Sequence, residues 1–220
     1  MSGPDPGGTG RRHPVLRGRH VHLLPMGPDH VEGLVEAATG DRSTFGLTPI
    51  PWDRASMAAY VDRALAHRDQ GDQEPFVTWS VDRQRIVGST RFYDLETWDW
   101  STQPARPDSL QRVEGPDVAS IGYTWLDPAV QRTPVNSEAK LLMLTHAFEV
   151  WRVWRVRIQT DVRNQRSRAA IARLGFALDG VLRGDMPGAD NTVRDSAVFS
   201  MLLDEWPRHR DHLAARLAGS

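Results

Sequence analysis

The stretch that decides the fold, residues 118–149, reads VASIGYTWLDPAVQRTPVNSEAKLLMLTHAFE. It begins as an apolar strand ending at Leu126 and ends as a strongly apolar helix, with a polar turn, QRTPVN, between them. We place the helix start near Asn136. Free N–H groups at a helix start attract anions, so the stretch suggests a site for a phosphate-bearing ligand. By itself, however, a capped helix start is more often only a capped helix.

The composition of the chain limits the classes of protein to consider. Its 220 residues are 40% hydrophobic, enough for one core, and the net charge of -1 lacks the basic excess that nucleic-acid binding usually needs. We therefore expect a single domain over residues 15–206, a flexible tail over residues 1–14, a C-terminal tail over residues 207–220, and no nucleic-acid partner.

The chain contains no cysteine, which excludes disulfides, a thiolate nucleophile and cysteine metal sites. Its first residues lack the apolar core of a signal peptide, and no later run is long enough to cross a membrane. These features indicate a cytoplasmic protein without a membrane partner, and we expect no metal.

Strand and helix patterns predict an α/β fold of the mixed (α+β) type. Strand patterns come in a run, then alternate with helices, and then run again, which favours a mixed, mostly antiparallel, twisted sheet of about seven strands flanked by helices. The predicted strands cover residues 19–24, 75–81, 85–95, 118–126, 154–160, 176–183 and 193–203, and the predicted helices residues 27–38, 53–71, 136–149 and 164–175.

A long polar loop from Asp94 to Asp117 interrupts this pattern and contains Trp98 and Trp100. Long ordered loops in compact domains tend to be functional or disordered. Two interpretations stay open: a variable surface loop over its tryptophans, or a contact with substrate or another subunit.

A second polar cluster lies in TDVRNQRSRAAIARLGF, residues 160–176. Asn164 is a plausible N-cap, and Ser167 shares a helical face with Ile171 and Leu174, so its hydroxyl should point toward the sheet. It could donate a proton to a ligand, or bond back to a carbonyl of its own helix, which is the more common arrangement without further context.

Together, the segments at residues 121–149, 155–184 and 193–206 resemble the GNAT (GCN5-related) N-acyltransferases, in the branch similar to the ribosomal-protein acetyltransferases RimJ and RimL. The resemblance covers roughly residues 15–206. It implies the GNAT fold, with the sheet splayed between the fourth and fifth predicted strands. The chain also resembles a mycobacterial succinyl-CoA transferase of this family.

The resemblance implies acyl-CoA as the co-substrate. In the family, the turn and helix start after the fourth strand hold the coenzyme's pyrophosphate, and the matching residues are Gln131, Arg132, Thr133, Pro134, Val135, Asn136 and Ser137. Pro134 replaces the first glycine of the family motif and Asn136 its small last residue. Proline removes one N–H donor, so we expect Arg132, Thr133 and Ser137 to carry more of the binding.

The resemblance also assigns roles near the reacting thioester. Backbone groups of Trp125 and Leu126 would bond the amides of the pantetheine arm or polarise the thioester. Asn164 would contact the same arm, and Arg168 would lie near the coenzyme. Ser167 matches the serine that protonates the departing thiolate. Asp185 is our candidate for the base, although a surface turn residue is the more common role for such an aspartate, and a water chain is the alternative base.

Donor and acceptor stay open at this point. Acetyl-CoA is the family default, and a succinyl donor would need a cation for its carboxylate, for which Arg91, Arg183 and Arg194 are candidates. The acceptor is an amine on a protein N-terminus, a lysine or a small molecule.

Two other classes of protein compete with an active enzyme. The altered QRTPVN turn and the absence of an obvious base would suit an acyl-CoA sensor or scaffold with the same fold. Trp98, Trp100 and the late LLDEW segment would suit a self-associating structural protein. We expect a homo-oligomer even if the chain is an enzyme.

Overall fold

The computed structural model describes residues 13–101 and 115–219, whose strands form one eight-stranded sheet. The strand order is β1-β2-β3-β4-β5-β6-β8-β7. The strands are β1 (Leu16–Arg17), β2 (Val21–Pro25), β3 (Glu74–Ser80), β4 (Arg85–Glu96), β5 (Val118–Leu126), β6 (Arg155–Asp161), β7 (Ala177–Pro187) and β8 (Val193–Leu202). Neighbouring strands are antiparallel except β5 and β6, which are parallel. The predicted mixed, mostly antiparallel sheet is confirmed, and the short β1 is the strand beyond the seven expected.

Five α-helices flank the sheet in the described part of the chain: α1 (Val31–Ala38), α2 (Arg54–Gln70), α3 (Pro134–Thr145), α4 (Gln165–Arg173) and α5 (Trp206–Ala218). Helix α3 continues into a π-helical turn, His146–Val150. Helix α2 begins and ends as the sequence predicts: the Asp53 side chain caps it, and Gly71, with φ of 82°, ends it in the left-handed conformation that glycine adopts at low cost. None of the helices described is long and apolar enough to cross a membrane.

The core consists of two apolar clusters. Adjacent strand residues belong to different clusters: Phe76 and Val87 belong to one, Val77 and Ile86 to the other. Because successive side chains of a strand point to opposite faces, the two clusters cover opposite faces of the sheet. One cluster contains the buried residues of α3 and α5 and the other those of α1 and α2, so both faces are covered by helices.

The C-terminal residues differ from the tail predicted over residues 207–220. They form most of α5, which buries Trp206 and Leu213 in the larger cluster and stacks Trp206 on Phe148 at 5.5 Å between ring centroids. Only these two residues of the helix are buried, so its narrow apolar stripe was a weak signal in the sequence.

The predicted N-terminal tail and long loop fall partly outside the described residues, which omit 1–12 and 102–114. Within the predicted tail, His13 Nδ1 lies 2.9 Å from both carboxylate oxygens of Glu74. At the loop ends, the Trp98 backbone N–H donates to Asp117 at 2.7 Å, and the Trp98 and Trp100 rings lie 5.9 Å apart. Strand β4 also runs through Asp94 to Glu96, so the loop starts later than predicted.

Candidate active site

The sheet opens between β5 and β6. The two strands pair only where Val118, Ala119 and Ser120 of β5 face Arg155, Val156 and Arg157 of β6. Beyond Ser120, β5 continues to Leu126 without pairing to β6, and β6 pairs onward only with β8. The predicted split is therefore present, and residues 121–126 present a strand edge whose backbone groups can bond an extended ligand.

Two helices begin at the open end of this split. Because β5 and β6 are parallel, their carboxyl ends lie at the same edge of the sheet, and α3 and α4 follow them. A hydrogen bond from Arg166 Nη2 to Gln131 Oε1, at 2.9 Å, joins α4 to the turn before α3. The positive ends of both helix dipoles are thus brought together, which suits an anionic ligand.

The Gln131 side chain is a structural link as well as a candidate ligand. Its Nε2 donates to the Leu126 carbonyl at 3.1 Å and to Thr44 Oγ1 at 3.0 Å. With the bond from Arg166, these contacts tie the turn to β5, α4 and the segment between α1 and α2. Gln131 therefore holds the shape of the turn.

Helix α3 starts two residues earlier than predicted. Thr133, and not Asn136, is the N-cap: its Oγ1 accepts from the Val135 N–H at 3.4 Å and donates to the Val130 carbonyl at 2.7 Å. Pro134 occupies the first helical position, where an N–H has no intrahelical partner in any case, so the proline costs the helix little. The Thr133 hydroxyl is already engaged, which leaves Arg132 and Ser137 as the better-placed side chains for a phosphate.

The other residues of this turn differ in the groups that they can provide to an anionic ligand. Arg132 is exposed and has a positive φ of 63°, whereas the Val135 side chain is only 4% exposed and can contribute no more than its backbone N–H. Asn136 and Ser137 are half-buried in the first turn of α3. The first N–H groups of a helix lack intrahelical partners, so the N–H of Asn136 and that of Val135, whose bond to Thr133 is long at 3.4 Å, are the backbone donors available to an anion.

Helix α4 places Asn164 and Ser167 as the sequence predicts. The Asn164 side chain caps the helix by accepting from the Ser167 N–H at 3.0 Å. The Ser167 side chain is half-buried, and its hydroxyl makes no hydrogen bond within residues 13–101 and 115–219. The back-bond to its own helix is therefore not found there, and the hydroxyl is available to a ligand. Arg168 Nη1 donates to the Val162 carbonyl at 3.3 Å, which holds Arg168 against the turn between β6 and α4.

Trp125 and Leu126 are buried and partly engaged with the protein. The Trp125 ring packs edge-on against Phe45 at 6.5 Å between centroids. Its carbonyl oxygen lies so close to Gly88 of β4 that a Cβ there would stand 2.0 Å away, and Gly88 has a φ of 153°. This carbonyl faces β4 and not the split. Because the Leu126 carbonyl already accepts from Gln131, a ligand must share it or use other backbone groups of β5.

Asp185 lies within β7 and not after the strand, as the sequence suggested. Its residue is half-buried, and its Oδ2 has no hydrogen-bond partner among the described residues. No hydrogen bond or ion pair in the described parts of the chain joins it to Ser167 or to the turn before α3. Its role as a base therefore stays a prediction.

Comparison with a family profile shows which protein family has this arrangement of strands and helices. The profile described as an acetyltransferase (GNAT) domain matches residues 20–177, which include the split, the turn before α3 and all of α4. The chain belongs to the GNAT acetyltransferase family. Among curated proteins, no sequence matches this GNAT chain significantly.

Solved structures of other GNAT proteins share its fold. A GCN5-related N-acetyltransferase from Brucella melitensis has a TM-score of 0.77 at 24% identity, over 94% of this chain and 86% of that one. RimJ from Mycobacterium smegmatis, solved with CoA-disulfide, has a TM-score of 0.69 at 19% identity, over 90% and 89%. An acetyltransferase from Salmonella typhimurium that modifies the N-terminal serine of ribosomal protein L7/L12 has a TM-score of 0.68 at 17% identity, over 86% and 99%.

Two basic residues of this GNAT chain, Lys140 and Arg91, are buried in a way that the sequence did not predict. Lys140, its only lysine, is buried on α3 and donates from Nζ to Thr124 Oγ1 at 2.7 Å and to Thr90 Oγ1 at 3.1 Å. Burial lowers the pKa of Lys140 to about 7. Arg91 is buried on β4 against Tyr60 and Tyr123. A lone cation within an apolar run was the available signal in both cases.

The described residues bring no three His, Asp or Glu side chains together in a group that could bind a metal ion. His146 belongs to no such group among the described residues. Its ring packs against Phe92 and Trp151, and burial lowers its pKa to about 4. Glu138 is also engaged with the protein, since its carboxylate accepts from the backbone N–H groups of Arg19, His20 and Val21.

Proposed function

We propose that this GNAT chain is an acyl-CoA-dependent N-acyltransferase that moves an acetyl or succinyl group from coenzyme A to an amine. The observation that carries the proposal is the split between β5 and β6, with the starts of α3 and α4 at its open end. The free strand edge suits the amide-bearing pantetheine arm. The two helix starts suit the pyrophosphate.

In the proposed reaction, the nitrogen of a neutral amine attacks the thioester carbon directly. The carbon–sulfur bond then breaks, and the leaving thiolate takes a proton from the Ser167 hydroxyl, which recovers it from solvent. The attacking amine loses its proton to Asp185 or to a water chain. No covalent enzyme intermediate is needed, because alignment, oxyanion stabilisation and proton donation supply the catalysis.

The residues proposed to hold the coenzyme are those of the turn, the strand edge and α4. Backbone N–H groups of Val135 and Asn136, with the side chains of Arg132 and Ser137, would contact the pyrophosphate. Asn164 and Arg168 would lie along the arm, beside the backbone of Trp125 and Leu126. Gln131, Thr133 and Pro134 would shape the turn.

The acceptor is proposed to be an amine on a protein N-terminus, a lysine or a small molecule. The Salmonella relative modifies a protein N-terminus. A peptide with a free N-terminal serine is therefore the first acceptor to test. A homo-oligomer in the cytoplasm and a single domain that extends through α5 complete the proposal.

Calorimetric titration with CoA and acetyl-CoA, followed by release of free thiol with a panel of amines, tests the proposal. We expect micromolar binding and turnover with at least one amine. Binding without turnover by any amine would favour the sensor or scaffold. Failure of every CoA species to bind would refute the enzyme and the sensor alike and leave the structural protein.

A further inference from the structure

Arg91 is a buried arginine without an acidic partner among the described residues. It is 3% exposed and lies on β4 directly opposite Gly122 of β5. No carboxylate of residues 13–101 and 115–219 forms an ion pair with its guanidinium. A buried charge normally has a counter-charge or a full set of hydrogen bonds, because desolvation is costly. The missing counter-charge therefore needs an explanation.

The protein orients this guanidinium without neutralising it. Arg91 Nη1 donates to Gln73 Oε1 at 2.9 Å. Its Cζ lies 4.8 Å from the centroid of the Tyr60 ring and 4.0 Å from that of the Tyr123 ring, both within the range of cation–π attraction. Gln73 and the two rings thus hold the guanidinium in place and leave its positive charge uncompensated.

Nε and Nη2 of Arg91 have no hydrogen-bond partner in the part of the chain that the structure describes. They lie on one edge of the guanidinium, where their N–H groups are parallel. Two parallel N–H donors match the two oxygens of a carboxylate, which is the geometry of bidentate arginine–carboxylate pairs. The open edge of Arg91 is therefore the edge that a carboxylate would use.

Arg91 lies close to the point where the sheet splits. Pairing between β5 and β6 ends at Ser120, and Gly122, the partner of Arg91, lies just past that point. A cavity of about 80 Å³ lies beside this point, and Tyr93, Asp94, Ser120 and Arg157 are among the residues that line it. Tyr93 also packs edge-on against Tyr123 at 5.4 Å, and Tyr123 covers Arg91.

The Tyr123 ring, which lies over the Arg91 guanidinium, also contacts solvent. Tyr123 is 50% exposed and lies at a bulge of β5, where its φ is 50°. Because half of this side chain is already in solvent, its rotation away from Arg91 loses little buried area. Rotation would uncover the face of the guanidinium that the Tyr123 ring now covers.

We propose that Arg91 is a specificity-determining residue that binds a carboxylate on one of the two substrates. This inference rests on the proposed function and adds a substrate class to it: an acyl donor, or an amine acceptor, that carries a carboxylate. The other candidate arginines fit less well. Arg183 is exposed on β7, and Arg194 Nε donates to Ser196 Oγ at 3.0 Å.

The donor arm of the test compares succinyl-CoA with butyryl-CoA, which has the same number of acyl carbons but no carboxylate. Calorimetry measures the binding of both, and of free CoA, to the full chain. If Arg91 binds a carboxylate of the donor, succinyl-CoA binds about 10-fold to 100-fold more tightly than butyryl-CoA, the range of a charge-assisted hydrogen-bonded pair. Arg91→Met brings the ratio of the two affinities close to one and leaves the affinity for free CoA unchanged.

The acceptor arm uses acetyl-CoA with pairs of amines that differ only in a carboxylate, such as amino acids and their amides. Initial rates of thiol release are compared within each pair. A preference for the acid that Arg91→Met removes assigns the carboxylate to the acceptor. Arg91→Lys, which keeps the charge but not the parallel donors, is expected to recover only part of the preference in either arm.

Arg183→Met is the matched control, since Arg183 is exposed on β7, and it should leave every preference unchanged. If free CoA binds but both members of every pair behave alike in the wild-type protein, the inference about Arg91 is wrong while the proposed function stands. If no CoA species binds, the proposed function fails and the inference fails with it. The comparison in the wild-type protein does not depend on the folding of any variant.

Discussion

Ser167 carries the most specific chemical role in the proposal, because its hydroxyl has no partner in the described residues. Ser167→Ala removes the proton donor but leaves the Asn164 cap, which uses the backbone N–H. We expect kcat to fall by roughly 100-fold, at the low end of general acid catalysis, with the affinity for acetyl-CoA unchanged. Steady-state rates and calorimetry on the same preparation check this.

The exposed neighbour Gln165 is the matched control for that substitution. Gln165→Ala, on the same helix, should change neither quantity. A Ser167→Ala variant with a wild-type kcat would show that another group protonates the thiolate, and loss of binding would show a structural role instead.

Lys140 should make stability depend on pH in an unusual direction. Below pH 7 both folded and unfolded chains hold its proton, so the folded state bears the full cost of a buried ammonium. Between about 7 and 10.5 only the unfolded chain keeps the proton, and the free energy of unfolding should rise with pH. This contribution comes from Lys140 alone and adds to those of other groups.

Lys140→Met tests this dependence, because the Thr90 and Thr124 hydroxyls, 2.8 Å apart, can still bond each other. We expect the variant to be more stable than the wild type by about 3 kcal/mol at pH 6, with the difference shrinking toward pH 10. Urea unfolding at the two pH values measures it. Leu142→Met on the same helix should give a difference that does not vary with pH.

Glu138 links helix α3 to the turn between β1 and β2. Its carboxylate accepts from Arg19 N at 2.9 Å, His20 N at 2.6 Å and Val21 N at 2.9 Å. The side chain is 8% exposed, so few waters could replace it. The start of α3 is thereby held against the first strands of the sheet.

Glu138→Gln keeps the size of the side chain but gives it an amide donor that faces backbone donors. We expect the free energy of unfolding to fall by about 2 kcal/mol, the cost of leaving buried N–H groups without acceptors. Chemical denaturation measures this. The exposed Glu36 of α1 is the control, and Glu36→Gln should change stability little. Equal effects of the two substitutions would mean that the Glu138 contacts add nothing to stability.

Among the described residues, the sheet ends on one side in a long edge strand, β7, which pairs with β8 and leaves its other edge open. Most of its residues are exposed, and four of them are large and apolar: Leu178, Val181, Leu182 and Met186. An exposed, apolar edge strand readily pairs with another chain. This edge is where we expect the proposed homo-oligomer to form.

Val181→Lys places a charge on that edge and should shift the protein toward the 24.7 kDa monomer. Light scattering coupled to size-exclusion chromatography measures the mass. Val150→Lys, at another exposed apolar position, should leave the mass of the assembly unchanged. A wild-type protein that is already monomeric at micromolar concentration contradicts the prediction.

Much of the architecture could be predicted because it depends on neighbours along the chain. Alternation in β6, the cap at Asp53 and the stop at Gly71 are local signals, and all of them are found in the structure. The start of α3 was misplaced by two residues, because Thr133 and Pro134 also form a good helix start and local pattern could not rank the two. Helix α5 was missed because only a narrow stripe of it is buried.

Local propensity and motif were enough to predict the order of seven strands and of the first four α-helices, the strand–turn–helix segment of residues 118–149 and the membership of the GNAT family. Only the contacts of the folded chain show that pairing between β5 and β6 ends at Ser120, that Gln131 braces the turn, and that Arg91 is buried without an acidic partner among the described residues. Those properties come from contacts between distant residues, such as the bonds from residues 19–21 to Glu138. The periodicity of apolar residues predicts which face of a strand is buried. It does not predict which distant side chains pack against that face.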